Sequence, residues 1–442
     1  MSDPYKMPAI LQENDIPQAG RRYLFLQGPI GPFFSRIAER LLESGHEVHH
    51  IAFNGGDRLF WTAGHSCDYT GGIQSWPSFL EQALLEHRIT DIVLFGDCRP
   101  LHRIAVSIGE TRGIGILVCE EGYLRPNWLT LERGGVNRHS SLSRDPAWYV
   151  AHAENLAPWH PGIPISGSFV RRALEDVLYR FFTLLLAWRY SGYQTHKPWS
   201  PLAEYWSGAR RFFFTPLAKR RSAKLTTGIL ANPKFFYLLP LQLEADSQIR
   251  FHSSMGSMIP AIKQIIDSFA HHSPADSLLV VTEHPLDTGV VDLGRITKQY
   301  AAVTGVADRV IFMRGGSPEH LLRASQGVIT VNSTLGILAL DFNLPVKTLG
   351  HAIYDLPGLT FQGKLDQFWQ QRTPPDRMIF DCFRRVVAAE SQINGGLYSR
   401  DALTLAVNAA VRKLSEAAPI RPTVVTSTAL SRLGELTLQS CK

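Results

Sequence analysis

Three short segments carry the side chains best suited to chemistry in this 442-residue sequence. Glu120-Glu121-Gly122 sets two carboxylates side by side directly after the apolar run Gly115-Ile-Leu-Val-Cys119. A carboxylate at the carboxyl end of a parallel strand faces the ligand cleft and can act as general base or nucleophile. A solvated acidic loop would look the same locally. Glu283-His284-Pro285 closes a second apolar run. Pro285 biases His284 toward extended backbone. An imidazole there can donate to a phosphate or a leaving group, although a structural histidine fits a single His-Pro equally. Val331-Asn-Ser-Thr-Leu-Gly336 reads as a strand-to-helix turn. Ser333 and Thr334 there offer hydroxyls and amides to a phosphate, or simply cap the helix.

A fourth turn, Gln27-Gly-Pro-Ile-Gly-Pro32, has glycines where a backbone could approach an anion, or is a plain tight turn. It lacks both GxGxxG spacing and the Gly-Lys-Ser/Thr of a P-loop, which disfavours NAD and ATP sites. No metal site is expected: there is no HExxH, no DxD-like pair after a strand and no Cys/His cluster along the chain.

The elements that must hold these residues are strands alternating with helices of about 12 residues, the mark of βαβ units and a parallel sheet. The pattern runs through residues 21–165 and restarts over 229–370. Residues 166–228 read as a helical insert, 371–442 as terminal helices and tail, and 1–20 as a loose tail. The expected fold is α/β and GT-B-like: two Rossmann-like domains with a cleft between the carboxyl ends of their strands. Periodicity alone supports two α/β domains and names no enzyme.

Composition fits this reading. With 45% hydrophobic and 19% charged residues, the chain is globular rather than disordered or coiled-coil. No apolar run reaches about 18 residues and the start resembles no signal peptide, so a soluble, cytoplasmic protein is expected. Five scattered Cys read as free thiols. The net charge of +6 is unevenly placed. Residues 171–224 hold eleven Lys/Arg against three Asp/Glu, so the remainder is close to neutral. Aromatics such as Tyr179, Phe181, Trp188 and Trp206 interleave those charges. Such a segment suits a membrane surface, where cations meet anionic headgroups and aromatics settle at the interface. A helical linker with buried aromatics is the plainer alternative. Nucleic acid is not expected as a partner, because no RRM, KH or HTH signature is present.

The order of the motifs, acidic-acidic-Gly then His-Pro then Ser-Thr, resembles bacterial sialyltransferases that use CMP-sugars. Longer segments resemble the capsular polysaccharide biosynthesis/export family of KpsS/LipB type across roughly residues 22–370. They are FLQGPIGPFF (25–34), FNGGD (53–57), FGDCRPLH (95–102), EEGYLRP (120–126), LPLQLEADSQIRFHS (239–253), TEHP (282–285) and VNSTLGILAL (331–340). The resemblance implies a β-Kdo transferase that starts a poly-Kdo linker by moving Kdo from CMP-Kdo to a lyso-phosphatidylglycerol-type lipid. It would work at the inner face of the cytoplasmic membrane, beside other capsule proteins and an ABC exporter, and without a cofactor.

The roles implied follow residue by residue. Glu121 is the catalytic carboxylate, as nucleophile or base, with Glu120 orienting it or structural. His284 with Pro285, Ser333 and Thr334 hold the CMP phosphate, and Gln242 borders the donor. Arg125 and Arg99 are candidates for the Kdo carboxylate, or pair with local acids. Gly28, Gly31, Asn54, Asp57 and Arg99 are placed on the acceptor side. The alternatives are another CMP-sugar (sialyl) transferase and a non-catalytic capsule assembly protein.

Overall fold

The computed structural model describes residues 20–416 except 196–198, 200, 233, 245, 316 and 317. The expected tails at 1–19 and after 416 lie outside the described residues. Among the described residues, twelve strands form two sheets. The first contains β1 (Arg22–Phe25), β2 (Glu47–Ala52), β3 (His65–Asp68), β4 (Asp91–Phe95), β5 (Gly115–Glu121) and β6 (Trp128–Arg133). The second contains β7 (Phe236–Pro240), β8 (Leu278–Glu283), β9 (Val310–Arg314), β10 (Val328–Thr330) and β11 (Val346–Thr348). β12 (Gln392–Asn394) belongs to the first sheet.

The first sheet runs β12-β6-β5-β4-β1-β2-β3, and the second β11-β10-β7-β8-β9. β1 to β5 are mutually parallel, as are β7 to β11. In each half the first strand is central and the order reverses beside it, which is the Rossmann arrangement. The reversal falls between β1 and β4 in one half and between β7 and β10 in the other. Ligands bind in the crevice at such points. The two-Rossmann, GT-B-like layout is therefore as expected.

The strands read as continuous apolar runs because helices cover both faces. β7 is buried throughout, as is β8 up to Glu283. The first two helices show how local sequence sets boundaries. Helix α1 (Phe33–Glu43) buries Phe33, Phe34, Ile37, Ala38 and Leu41, one face at helical spacing. It ends at Ser44, after which Gly45 turns the chain with φ +81°. Helix α2 (Gly55–Phe60) begins at Asn54, whose side chain accepts from the Asp57 amide.

Further along come α3 (Trp76–Glu86), α4 (Pro100–Thr111), α5 (Pro146–Ala153), α6 (Phe169–Leu185) and α7 (Pro201–Leu230). The last two form the insert between the halves. The C-terminal stretch returns to the first half. β12 pairs antiparallel with β6, and Leu403, Ala406, Val407, Ala410 and Leu414 of helix Arg400–Glu416 join the core containing α1. β3, β6 and β12 were not among the strands read from sequence. They are short or lie toward the sheet's edges, where one polar face breaks the apolar run that marks a central strand.

Among the described residues, no helix is long and apolar enough to cross a membrane.

Candidate functional site

The carboxyl ends of the two sheets meet around a cavity of about 480 Å³. Its lining includes Glu120, Glu121, Arg125, His284, Ser333 and Thr334. A second cavity of about 520 Å³ shares Arg125, His284, Ser333 and Thr334 and adds Pro285, so the two adjoin. Three motifs spread over more than 200 residues of chain thus converge where Rossmann topology predicts a ligand.

Glu120 and Glu121 end β5. Glu120 shares a face with Ile116 and Val118, and Glu121 with Leu117 and Cys119. Their surroundings differ sharply. Glu120 accepts a hydrogen bond of 2.6 Å from the Asn137 amide. Burial, reinforced by Asp97 and Asp246, pushes its carboxyl up to about 8. Glu121 is more open and forms a 2.7 Å ion pair with Arg125. Gly122 completes the motif for a steric reason: a Cβ there would sit 2.0 Å from the Trp128 carbonyl oxygen. The chain can leave β5 and return as β6 only with glycine at this point.

His284 is held by its own turn. The Leu286 amide donates to His284 Nδ1 at 3.1 Å, which places the proton of the neutral ring on Nε2. Burial, with Arg125 nearby, holds the ring below the ordinary histidine range, so it is neutral at pH 7. Nε2–H is then a donor available to a ligand oxygen. Beneath it, the Glu283 carboxylate receives two hydrogen bonds of 2.8 Å from Arg211 of α7.

The Ser-Thr turn follows β10. Tyr354 donates its hydroxyl to the Ser333 carbonyl at 2.6 Å, and the Leu335 amide donates to Ser333 Oγ. Gln242 does not face the cavity alone. Its amide donates to Asn332 Oδ1 at 3.0 Å and its carbonyl accepts from the Asn332 amide at 3.1 Å. This pair bridges the loops after β7 and β10 across the second reversal point.

Of the residues placed on the acceptor side, only Arg99 lines the main cavity. It donates to the Gln27 and Gly28 carbonyls at 3.4 Å each. Gly28 packs against the Phe34 ring, and Gly31, with φ +114°, lies against the Glu175 carboxylate. Asn54 and Asp57 are buried and face the insert. Tyr179 of α6 donates to Asp57 Oδ1 at 2.7 Å, and Asn54 Nδ2 donates to the Tyr179 hydroxyl at 2.9 Å. Gln27 Nε2 donates to both Asp57 oxygens. Burial raises the Asp57 carboxyl. The intervening Gly55 and Gly56 let α6 come close, since a Cβ at 55 would lie 2.1 Å from the Phe182 carbonyl oxygen. Asn54-Gly-Gly-Asp57 is therefore built as the socket for α6.

Several functional candidates escaped the sequence reading. Arg172 of α6 lines the cavity, its guanidinium 4.7 Å from the Tyr398 ring centre. Arg211 supports the His-Pro turn. The expected absence of a Cys/His cluster holds along the chain but not in space. Cys98, His139 and His252 come together because three separate loops meet at the cleft. Nothing in local spacing signals such a long-range meeting.

The outer side of α6 is unusual. Phe169, Val170, Leu174, Val177, Phe181 and Leu184 are all more than half exposed, and Trp188 just beyond is 77% exposed. Positions 170, 174, 177, 181 and 184 follow helical spacing and form one stripe. Arg171, Arg180 and Arg189 flank it.

The sequence model described as "Capsule polysaccharide biosynthesis protein" matches residues 90–398. The chain is 36% identical over 392 residues to the capsule polysaccharide export protein KpsS of Escherichia coli, covering 86% of this chain and 97% of that protein. It is 33% identical over 400 residues to the capsule polysaccharide modification protein LipB of Neisseria meningitidis serogroup A, covering 87% and 93%. Among solved structures, KpsC of Thermosulfurimonas dismutans, a beta Kdo 2,7 transferase, aligns with a TM-score of 0.43 at 14% identity, over 88% of this chain and 99% of that one. Matched by the family model over residues 90–398 and by KpsS and LipB over 86% and 87% of its length, the chain belongs to the capsule polysaccharide biosynthesis family.

Proposed function

We infer that this protein is a retaining β-Kdo transferase. It takes Kdo from CMP-Kdo and places it on a lyso-phosphatidylglycerol-type lipid, starting the poly-Kdo linker for capsule export. The observation that carries this reading is the single cavity shared by Glu120 and Glu121 of one sheet and His284, Ser333 and Thr334 of the other. Its mixture of carboxylates, a neutral imidazole donor and hydroxyls suits a sugar ester of a single phosphate.

The two carboxylates divide the work by environment. Glu121, paired with Arg125, attacks the anomeric carbon as the CMP phosphate departs. His284 Nε2–H and the Ser333 and Thr334 hydroxyls bind the phosphate and stabilise the charge that develops on it. The acceptor hydroxyl then displaces the Glu121 carboxylate, passing its proton to the CMP phosphate still held at His284, and the two inversions restore the β configuration. Glu120, protonated near neutrality, keeps a second negative charge away from the incoming phosphate. Arg125, Arg99 and Arg172 are cations of the cavity lining that serve the Kdo carboxylate or the lipid phosphate.

The apolar stripe of α6, with its flanking arginines, lies on an anionic membrane surface and brings the lipid acceptor to the cleft. The test is direct. Purified protein is incubated with CMP-Kdo and a fluorescent lyso-phosphatidylglycerol, with CMP-sialic acid in a parallel arm. A mass increase of one Kdo residue is expected from CMP-Kdo alone. Transfer from CMP-sialic acid instead would change the donor. No transfer from either, with capsule undiminished in a Glu121→Ala strain, would overturn the enzyme reading.

A further inference from the structure

Asp97 and Cys98, on the loop after β4, face His252, on the loop region after β7. Cys98 Sγ lies 3.1 Å from His252 Nε2 and 3.2 Å from Asp97 Oδ1. Asp97 Oδ1 is 3.6 Å from His252 Nε2. His139 approaches from the solvent side, with Nδ1 2.9 Å from Asp97 Oδ2. One ligand atom from each of Cys98, His139 and His252 falls within 4.8 Å of the other two. Asp97, Cys98 and His252 are buried, whereas the His139 side chain is about half exposed.

We propose that these four side chains bind a divalent transition-metal ion of the zinc class, which fastens the two domains together. The donor set is one thiolate, two imidazoles and one carboxylate. It matches a borderline-soft ion and does not suit magnesium or calcium, which require oxygen ligands. Metal–ligand bonds of about 2.0–2.3 Å place the ligand atoms of a tetrahedron roughly 3.3–3.6 Å apart. The separations among Asp97, Cys98 and His252 already bracket that range, and His139 closes the fourth side from solvent.

Charge and protons also balance. A thiolate and a carboxylate neutralise a 2+ ion. Cys98 releases its proton to solvent on binding. His252 must bind through Nε2, so its ring proton moves to Nδ1. The present contact from the Arg138 amide to Nδ1, at 3.4 Å, is long and gives way. The carboxylate is already oriented, because the Val136 amide donates to Asp97 Oδ2 at 3.2 Å.

The location gives the ion its role. Asp97, Cys98 and His139 belong to the first domain and His252 to the second. The His252 carbonyl also accepts from Asn332 Nδ2 at 3.3 Å, which ties the site to the Gln242–Asn332 bridge. Metal binding would thus brace the floor of the cleft. This is structural metal chemistry, independent of whether the cleft transfers Kdo.

The full chain is stripped with a chelator, dialysed and titrated with cobalt(II). The expected result is one cobalt per chain, with visible bands of a tetrahedral ion and a near-ultraviolet thiolate-to-cobalt band. Zinc should displace cobalt and raise the melting temperature above that of the stripped chain. Cys98→Ser should abolish the thiolate band. His139→Asn, at a half-exposed side chain, should weaken cobalt binding at least about 100-fold, beyond the range for losing an outer partner. Two results overturn the proposal. One is no stoichiometric binding by the folded, stripped chain. The other is binding unchanged in both variants, which would move the ion elsewhere. Neither readout depends on transfer activity, so this inference and the functional one fail separately.

Discussion

Arg211 of α7 and Glu283 at the end of β8 face each other as two parallel hydrogen bonds, each 2.8 Å. The guanidinium also donates to the Asp287 carbonyl at 3.0 Å, so it clasps both sides of the turn that carries His284. Gly289 makes room: a Cβ there would lie 2.0 Å from Arg211 Nε. The insert is therefore fixed to the second domain's side of the cleft through α7, as it is fixed to the first domain through α6 and the Asn54–Asp57 socket.

Arg211→Ala should leave a buried carboxylate without this pairing. Removing one partner of a buried pair costs about 3–5 kcal/mol. Urea unfolding should report a loss of that order, and CMP should bind more weakly because the His284 turn loosens. Unchanged stability with unchanged CMP affinity would show that the clasp does not hold the turn.

Glu121→Gln keeps shape and removes the attacking charge. Transfer should fall by roughly 10⁶-fold, the scale seen when a nucleophile is lost, while CMP binding by calorimetry persists. His284→Asn should cost about 10²–10³-fold, as for loss of one donor to developing charge. A Glu121→Gln protein that transfers at the original rate would remove Glu121 from the nucleophile's place.

The Glu120 carboxyl, raised from 4.5 to about 8, gives a pH signature. Between those values the folded chain holds a proton that the unfolded chain has released. Stability therefore falls as pH rises, by up to about 1.4 kcal/mol per pH unit. Thermal melts from pH 6.5 to 8 should show the decline. Glu120→Gln, neutral in both states, should flatten it. A slope as steep in the variant as in the parent would assign the effect to other groups, such as Glu132, raised to about 7.

Gly55→Ala should push α6 off its socket. Overpacking at a backbone contact costs roughly 1–3 kcal/mol. Limited proteolysis should cut the insert faster in the variant, with the rest of the chain protected. Equal cleavage rates would mean that α6 docks by other contacts.

The α6 stripe should bind anionic vesicles. Losing one large apolar contact is worth about 1.5–3 kcal/mol, at least about tenfold in affinity. Phe181→Asp should therefore weaken sedimentation with phosphatidylglycerol vesicles by tenfold or more, and added salt should weaken the parent. Transfer to a water-soluble acceptor should be unaffected. Vesicle binding that Phe181→Asp leaves intact would place the membrane contact elsewhere.

The sequence by itself determined the two α/β halves, because continuous apolar strands alternating with amphipathic helices are a local, periodic signal. It also marked Glu120-Glu121, His284-Pro285 and Ser333-Thr334, because each lies at or just past a strand's carboxyl end, and parallel topology sends every strand's carboxyl end to the same crevice. It isolated the basic aromatic insert through charge counting alone. Other relationships needed the tertiary structure. Asn54 and Asp57 turn toward α6 rather than the cleft because buried polar groups must be hydrogen-bonded, and Tyr179 is their partner. That Glu120 holds its proton near neutrality follows from its burial beside Asp97 and Asp246, not from its order in the chain. Arg211 with Glu283, and Cys98 with His139 and His252, join segments dozens to more than a hundred residues apart. Such pairings leave no periodic trace, and they exist only once both sheets and the insert have closed around the same cleft.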